Sequence, residues 1–386
     1  MNILIACDKF RGSLTAKEAN AAIIEALEGS RLASRARPTA IPIADGGEGT
    51  LAALASHDSV IMKAPARDPF GAWHEAEWLH DRANGRAIIE MAQVAGHSCA
   101  QTEGYDPDRA SSAGVGDLIK AALDQQIDKV VVSLGGSITV DGGAGALEAL
   151  GARFLDGDGK VVQNAVGRAL ARVDAVDLTN LDPRAAGLSI IAAADVDHPL
   201  SGPGGAAAVF GPQKGVASGD IAAFDRALTQ FDAAVAHACG RPVYADEPFA
   251  GAAGGMLVGL SAIAPTKGID GFALVTAHHN LDGLIDEADL LVTGEGSLDQ
   301  QSLGGKGPVA IARAARAANV PAIAFAGRLA ASPAALRAEG IGAAFSISNG
   351  PQSLEEALSN AGPALISAAT HAFNAMDLLA SAGPHD

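Results

Sequence analysis

The sequence predicts an α/β protein: a doubly wound, largely parallel-sheet domain with a second α/β domain inserted into it. Three observations carry this expectation. The chain has 386 residues, more than one hydrophobic core usually serves. Hydrophobic residues make up 48% of it and aromatics only 4%, a composition suited to cores packed from Ala, Val, Ile and Leu. Short β-rich runs ending in a loop with glycine and an acid alternate with helix-length amphipathic segments, which is the punctuation of βα units.

In chain order those runs are residues 2–7, 40–44, 129–134, 188–193 and 290–293. Thr15 followed by Glu18 makes a capping box, so the segment from Asp8 to Ser13 lies just ahead of a helix N-terminus. Ser353 with Glu356 repeats the signal near the end. Strand patterns at 321–325 and 343–347, and a helix over 353–379, close the doubly wound domain. In the middle, residues 72–78 and 85–91 pair as strands and 220–239 form one long helix. The expected boundaries lie near residues 61 and 284: 1–61 plus 285–386 form one domain, 62–284 the inserted one, with the active site in the cleft between them.

A net charge of −17 repels nucleic acid phosphates and anionic membranes, so neither is an expected partner. Such a protein binds an anion only where a few Lys, Arg or backbone N–H groups, or a metal ion, reverse the potential locally. Cys7, Cys99 and Cys239 are far apart and lack any CxxC spacing, so neither a disulfide framework nor a zinc site is indicated. The apolar run before Asp8 is too short for a signal peptide or membrane helix, and the expected compartment is the cytoplasm.

Chemistry is expected in the loops at the carboxyl ends of the strands. In Ala44-Asp45-Gly46-Gly47-Glu48-Gly49-Thr50 the glycines can present N–H groups to a phosphate, with Asp45 beside them. Taken alone this reads better as an ordinary tight βα turn with Glu48 stabilising the first turn of the helix. Recurrence weakens that alternative, because Gly135-Gly136-Ser137-Ile138-Thr139-Val140-Asp141-Gly142-Gly143 repeats the arrangement after another strand. After a third strand come Asp195, a candidate base or metal ligand, and His198, which reads as a loop hydrogen-bonding residue. Lys214, between Pro212 and Gly215, is either a phosphate ligand or a surface lysine in a turn. Thr293-Gly294-Glu295-Gly296-Ser297-Leu298-Asp299, followed by Gly304-Gly305-Lys306-Gly307-Pro308, looks like a phosphate cradle. It is no P-loop, because Gln300 stands where the Walker pattern needs Gly. The segment from Gly202 to Ala207 is only an imperfect dinucleotide fingerprint, too far beyond its strand and interrupted by Pro203.

Taken together, Asp8-Lys9-Phe10-Arg11-Gly12-Ser13-Leu14, the loops beginning at Ala44 and Gly135, Phe210 to Gly215, Gly251-Ala252-Ala253-Gly254-Gly255 and Gly294 to Lys306 resemble the type I glycerate kinase family. The resemblance runs from about residue 2 to residue 330 and rests on several motifs in the right order. It implies a flavodoxin-like domain with an α/β insertion, and ATP-dependent phosphorylation of D-glycerate to 2-phosphoglycerate assisted by Mg²⁺. For that chemistry Asp45 or Asp195 is expected to accept the hydroxyl proton, and Arg11 and Lys306 to compensate charge. The residues expected to bind the nucleotide are Ser13, Gly46, Gly47, Gly135, Gly136, Ser137, Lys214, Gly254, Gly294, Gly296 and Asp299, and Asp141 or Glu295 is expected to help hold the metal.

The sequence departs from the family pattern at Arg11 for Lys, Val140 for a frequent Asn, Ser297 for a frequent Arg, and Ala194 and His198 for frequent Cys and Asn. These departures bear on substrate identity more than on phosphoryl transfer. A kinase for a related hydroxy or sugar acid, a catalytically inactive metabolite-binding homologue and a nicotinamide oxidoreductase are the competing readings. The expected partner is a small acid, and a homodimer is the assembly left open.

Overall fold

The computed structural model of the protein describes residues 1–97, 99–100, 105–300, 302–305 and 307–381. Among them the strands are β1 (Asn2–Cys7), β2 (Arg37–Ala40), β3 (Ser59–Arg67), β4 (Trp73–Asp81), β5 (Arg86–Glu90), β6 (Lys129–Ser133), β7 (Arg153–Leu155), β8 (Ala175–Asp177), β9 (Ser189–Ala194), β10 (Thr266–Asp270), β11 (Leu290–Leu298), β12 (Ala322–Leu329) and β13 (Ile341–Ser346). The chain divides into two compact units, the first made of Met1–Asp45, Ala52–Leu54 and Phe272–Asp386, the second of Gly46–Leu51 and Ala55–Gly271. The limits thus differ from those expected near 61 and 284. The β3–β4 ladder runs unbroken from Ser59 opposite Asp81 to Arg67 opposite Trp73, and a cut at 61 would sever it. Leu281 and Ile285 pack into a core of the first unit, which puts the second limit earlier than 284.

The first unit is a parallel sheet in the order β13-β12-β11-β1-β2, the flavodoxin-like arrangement. The chain lays β2 on one side of β1 and later places β11 on the other, so the winding reverses between β1 and β11. Successive side chains of β1 point to opposite faces. Ile3, Ile5 and Cys7 join one apolar layer with Phe373 and Leu27, whereas Leu4 and Ala6 join the other with Val309 and Ile311. A strand buried on both faces needs a continuous apolar run, which residues 3–7 supply.

The helix Ala16–Glu28 opens with the expected capping box: Glu18 N–H donates to Thr15 Oγ1 and Thr15 N–H donates to Glu18 Oε2. Its buried Ala19, Ala22, Ile23, Ala26 and Leu27 follow helical spacing and form one stripe against the sheet. Asn20 is buried as well and ties two strand ends together. Cys7 N–H donates to its Oδ1 at 3.0 Å, and its Nδ2 donates to Ile41 O at 2.8 Å. Residues 41–44, expected as strand, lie just past β2 but still follow β1, with Ile41 N–H donating to Ile5 O and Ile43 N–H to Cys7 O.

The expected helix over 353–379 is two helices, Leu354–Ser359 and Ala361–Ser381. Pro363 explains the break, since it has no N–H for the carbonyl of Ser359 and its ring would clash there. β11 is longer than expected because β12 continues beside it as far as Leu298 opposite Leu329.

The second unit carries the sheet β10-β9-β6-β5-β4-β3, parallel from β10 to β5 and antiparallel at the β4 and β3 edge. The expected strand pairing appears as β4 with β5, Leu79 opposite Ile88. The long helix Ile221–Cys239 lays Phe224, Leu228 and Phe231 into the unit's core. Among the described residues no helix is long and apolar enough to cross a membrane.

Replacing Asn20 by Leu leaves Cys7 N–H and Ile41 O buried without that partner and should destabilise the protein by about 1–3 kcal/mol in urea unfolding. Because the two strand ends carry Asp8 and Asp45, turnover should fall more steeply on heating than in the wild type.

Candidate active site

In the first unit, Asp8 follows β1, Asp45 follows the segment beside β1, Glu295 lies on β11 and Asp299 follows it. The parallel register brings Cys7 opposite Gly294, so the ends of β1 and β11 come level. Burial, then the charge on Asp45, pushes the Asp8 carboxyl up to about 6, although Lys9 N–H donates to its Oδ1 at 2.6 Å. Burial also dominates at Glu295, and with the charges of Asp8, Asp299 and Asp45 it pushes that carboxyl up to about 7. A hydrogen bond from Ser302 works against the rise, but Glu295 Oε1 is buried with no hydrogen-bond partner among the described residues. The Asp8 Oδ2 atom also stands 3.1 Å from where a Cβ on Gly307 would lie, at the start of the helix Gly307–Ala317.

Asp8 and Glu295, each partly buried and each in the field of neighbouring carboxylates, have their proton affinity raised. Among the described residues no group of three His, Cys, Asp or Glu side chains is arranged as a ready metal cage. Mg²⁺ in nucleotide sites usually takes one or two carboxylates and completes its shell with phosphate and water. Glu295, with its orphaned buried oxygen, and Asp8 fit that requirement.

In the second unit the glycine loops pack on each other. Gly135 N–H donates to Gly46 O at 3.0 Å, and a Cβ on Gly135 would come within 2.4 Å of Gly47 Cα. A Cβ on Gly254 would come within 2.2 Å of Thr139 O, and Gly142 N–H donates to Gly254 O. Close backbone approach therefore accounts for Gly135 and Gly254 without any ligand. The start of the 46–51 loop is held by Glu90, whose Oε1 accepts from Gly49 N–H and Leu51 N–H, both at 2.8 Å.

Asp141 is fully buried, and its carboxylate accepts from Ser112 N–H, Ser112 Oγ, Gly143 N–H and Gly145 N–H at 2.8–3.2 Å. Burial nevertheless raises its pKa. With four donors converging on it, this aspartate anchors the loop to the helix Ala144–Ala149. Lys214 is not a surface lysine in a turn: it is 3% exposed, and its Nζ donates to Ser137 Oγ at 2.9 Å and Thr139 O at 3.0 Å. The lysine thus pins the same loop from within, beside Thr139 Oγ1, which is buried with no hydrogen-bond partner among the described residues.

The remaining expected residues fall as follows. Gly294 and Gly296 lie on β11 rather than in a free cradle, since the ladder to β12 continues past them; a Cβ on Gly294 would come within 2.5 Å of Phe325 O. Arg11 is exposed in the turn after β1, where Ser13 Oγ donates to Phe10 O. Asp299 Oδ2 accepts from Ser297 Oγ at 3.2 Å. Gly46, Gly47 and Gly136 lie in their loops, and Asp195 is half-buried after β9. His198 Nδ1 lies 3.0 Å from Gly204 O, as its loop reading anticipates. Lys306 lies outside the described residues. Sequence reasoning assigned no site role to Asp8 or Glu90, though each closes or follows a strand as Asp45 and Asp195 do.

Burial lowers the Lys214 pKa from 10.5 to about 8, offset in part by Asp141. Below that range folded and unfolded chains both hold the proton, and the full cost of burying the charge is present. Between about 8 and 10.5 the folded state has shed a proton that the unfolded chain retains, so this group makes stability rise with pH. The stability of wild type relative to Lys214→Met should therefore increase by on the order of 2 kcal/mol between about pH 7 and pH 9.5 in urea unfolding.

The sequence profile of the glycerate kinase family matches residues 3–377. A glycerate kinase from Halalkalibacterium halodurans is 38% identical over 359 residues, covering 92% of this chain and 93% of that protein. A glycerate 2-kinase from Escherichia coli is 36% identical over 362 residues, covering 94% of each. The crystal structure of a putative glycerate kinase 2 from Salmonella typhimurium superposes with a TM-score of 0.83 at 34% identity, over 99% of both chains. With fold, strand-end acids and relatives in agreement, the chain is a kinase of the glycerate kinase family.

Proposed function

We propose that the chain transfers the γ-phosphoryl group of ATP to the 2-hydroxyl of D-glycerate, with Mg²⁺ assisting, and releases 2-phosphoglycerate. The observation that carries this reading is the acid set Asp8, Asp45, Glu295 and Asp299 at the strand ends, with Glu295 Oε1 buried and without a partner among the described residues. The position of transfer is supported by the E. coli relative, a glycerate 2-kinase.

Phosphoryl transfer asks the protein mainly to align acceptor, donor and counter-charge. Mg²⁺, when bound, neutralises charge on the phosphate oxygens. Glu295 and Asp8 would hold it, with Asp45 and Asp299 adding to the negative potential there. Asp195, which follows β9, accepts the proton of the substrate hydroxyl. Arg11 and Lys306 compensate charge on the phosphates. Lys214, Asp141 and Glu90 act as positioning residues that keep the glycine loops in shape. The three unpaired cysteines suit a reducing cytoplasm.

Two departures from the family pattern carry less weight than the sequence alone assigns them. Val140 is fully buried in the apolar core of the second unit, so it changes packing. Ser297 Oγ donates to Asp299 within the first unit. Neither gives a specific reason to prefer another acid over D-glycerate.

Replacing Asp195 by Asn should lower kcat by about 10²–10⁴-fold while leaving the melting temperature close to wild type. Turnover within a few fold of wild type would remove Asp195 as the base. Phosphorus NMR of the product made from ATP, Mg²⁺ and D-glycerate should show a 2-phosphate ester; a 3-phosphate would overturn the position of transfer.

A further inference from the structure

The first unit contains a cavity of about 450 Å³, and Arg11, Ser13 and Gly296 are among the residues that line it. It opens at the carboxyl ends of the parallel strands: Phe10 and Arg11 follow β1, Gly296 lies on β11, Gly327 on β12, and Ile347 follows β13. Open α/β sheets take their ligands at this edge, next to the point where strand order reverses. That reversal lies between β1 and β11, the strands that carry Phe10, Arg11 and Gly296 into the lining.

Its walls and volume decide what chemistry it suits. Ile347, Leu354 and Leu358 make an apolar side. Gly296 and Gly327 leave bare backbone opposite: a Cβ on Gly327 would come within 2.7 Å of Gly296 O, and one on Gly296 within 3.0 Å of Arg11 N. A flat ring can lie against such a surface. A three-carbon acid has no apolar face to offer and would leave most of the volume empty, whereas a site of about 300–1,000 Å³ is the size that encloses a nucleoside. Asn349 and Gln352 bring amide donors and acceptors to the lining, and Arg11 and Arg328 bring positive charge. Glu295 directly precedes Gly296, so the cavity borders the acid set along the same strand.

We propose that this cavity holds the nucleoside of the donor nucleoside triphosphate, with Arg11 and Arg328 beside its phosphate chain. From there the phosphates lead along β11 toward Glu295 and Asp8. The assignment rests on the phosphotransferase reading above and adds to it the seat of the donor.

Ala357 is half-buried on the helix Leu354–Ser359 and lines the cavity. Replacing it by Trp fills the space, and Gln352→Trp obstructs it from an exposed position that tolerates a large side chain if the first variant folds poorly. Steady-state kinetics with Mg²⁺, ATP and D-glycerate should show KM for ATP raised about tenfold or more, with KM for D-glycerate within about threefold of wild type. Calorimetric titration with ADP should show the matching loss of affinity. Unchanged ADP affinity and KM for ATP in a folded variant would overturn the proposal, and a rise confined to KM for D-glycerate would give the cavity to the acceptor instead. A wild-type protein without turnover of ATP and glycerate would contradict the phosphotransferase reading; the ADP titration of wild type against variant would still decide the cavity.

Discussion

Burial of the Asp8 and Glu295 carboxyls in the field of neighbouring acids is the constraint around which the first unit is organised. Left to themselves, partly buried carboxylates in each other's field take up protons, and Asp8 and Glu295 are shifted in that direction. A fold that keeps them together must hold the strand ends rigidly. The two-faced burial of β1, the ladder from β1 to β11 and the Asn20 bridge between Cys7 and Ile41 do so. None of these contacts touches a substrate, yet each fixes where an acid stands. Binding a cation there relieves the repulsion, so the site's electrostatic cost becomes its affinity.

The second unit solves a different problem. Its loops approach one another so closely that side chains at Gly135 and Gly254 would collide with backbone. Buried charged groups then set their shape: Glu90 holds 46–51, while Asp141 and Lys214 hold 135–143 from two sides. Backbone groups in such loops cannot all pair with each other, so a buried carboxylate accepting several N–H donors is a compact way to satisfy them. The strand-end acids of the protein therefore divide into two kinds. Glu295 has an oxygen without a partner among the described residues and suits a cation, whereas Glu90 and Asp141 are met by backbone donors and shape the loops.

That division explains what was legible in the sequence. Alternation and capping are local signals, so β1, β6, β9, the box at Thr15 and Glu18 and the helix Ile221–Cys239 could be read directly. The strand-end position of Asp45 and Glu295 was visible for the same reason. Donor supply is a property of the folded loops, and nothing along the chain separates Asp141, met by four donors, from Glu295 with an orphaned oxygen. Lys214 looked exposed because glycine and proline flank it, whereas the neighbouring loop closes over it. The extra length of β11 depended on β12 running alongside, a long-range pairing no local pattern records. The break before Ala361 was readable from Pro363, but the apolar periodicity on either side masked it.

The central claim is that the partly buried carboxylates Asp8 and Glu295, just past β1 and on β11, hold the divalent cation of phosphoryl transfer. Its most direct test is the binding of Mn²⁺, as a paramagnetic substitute for Mg²⁺, in the presence of ADP, with free ion read by electron paramagnetic resonance. Wild type should bind Mn²⁺ about tenfold or more tightly than Glu295→Gln, whereas Asp141→Asn, if folded, should retain wild-type affinity. Equal affinity in wild type and Glu295→Gln would contradict the account.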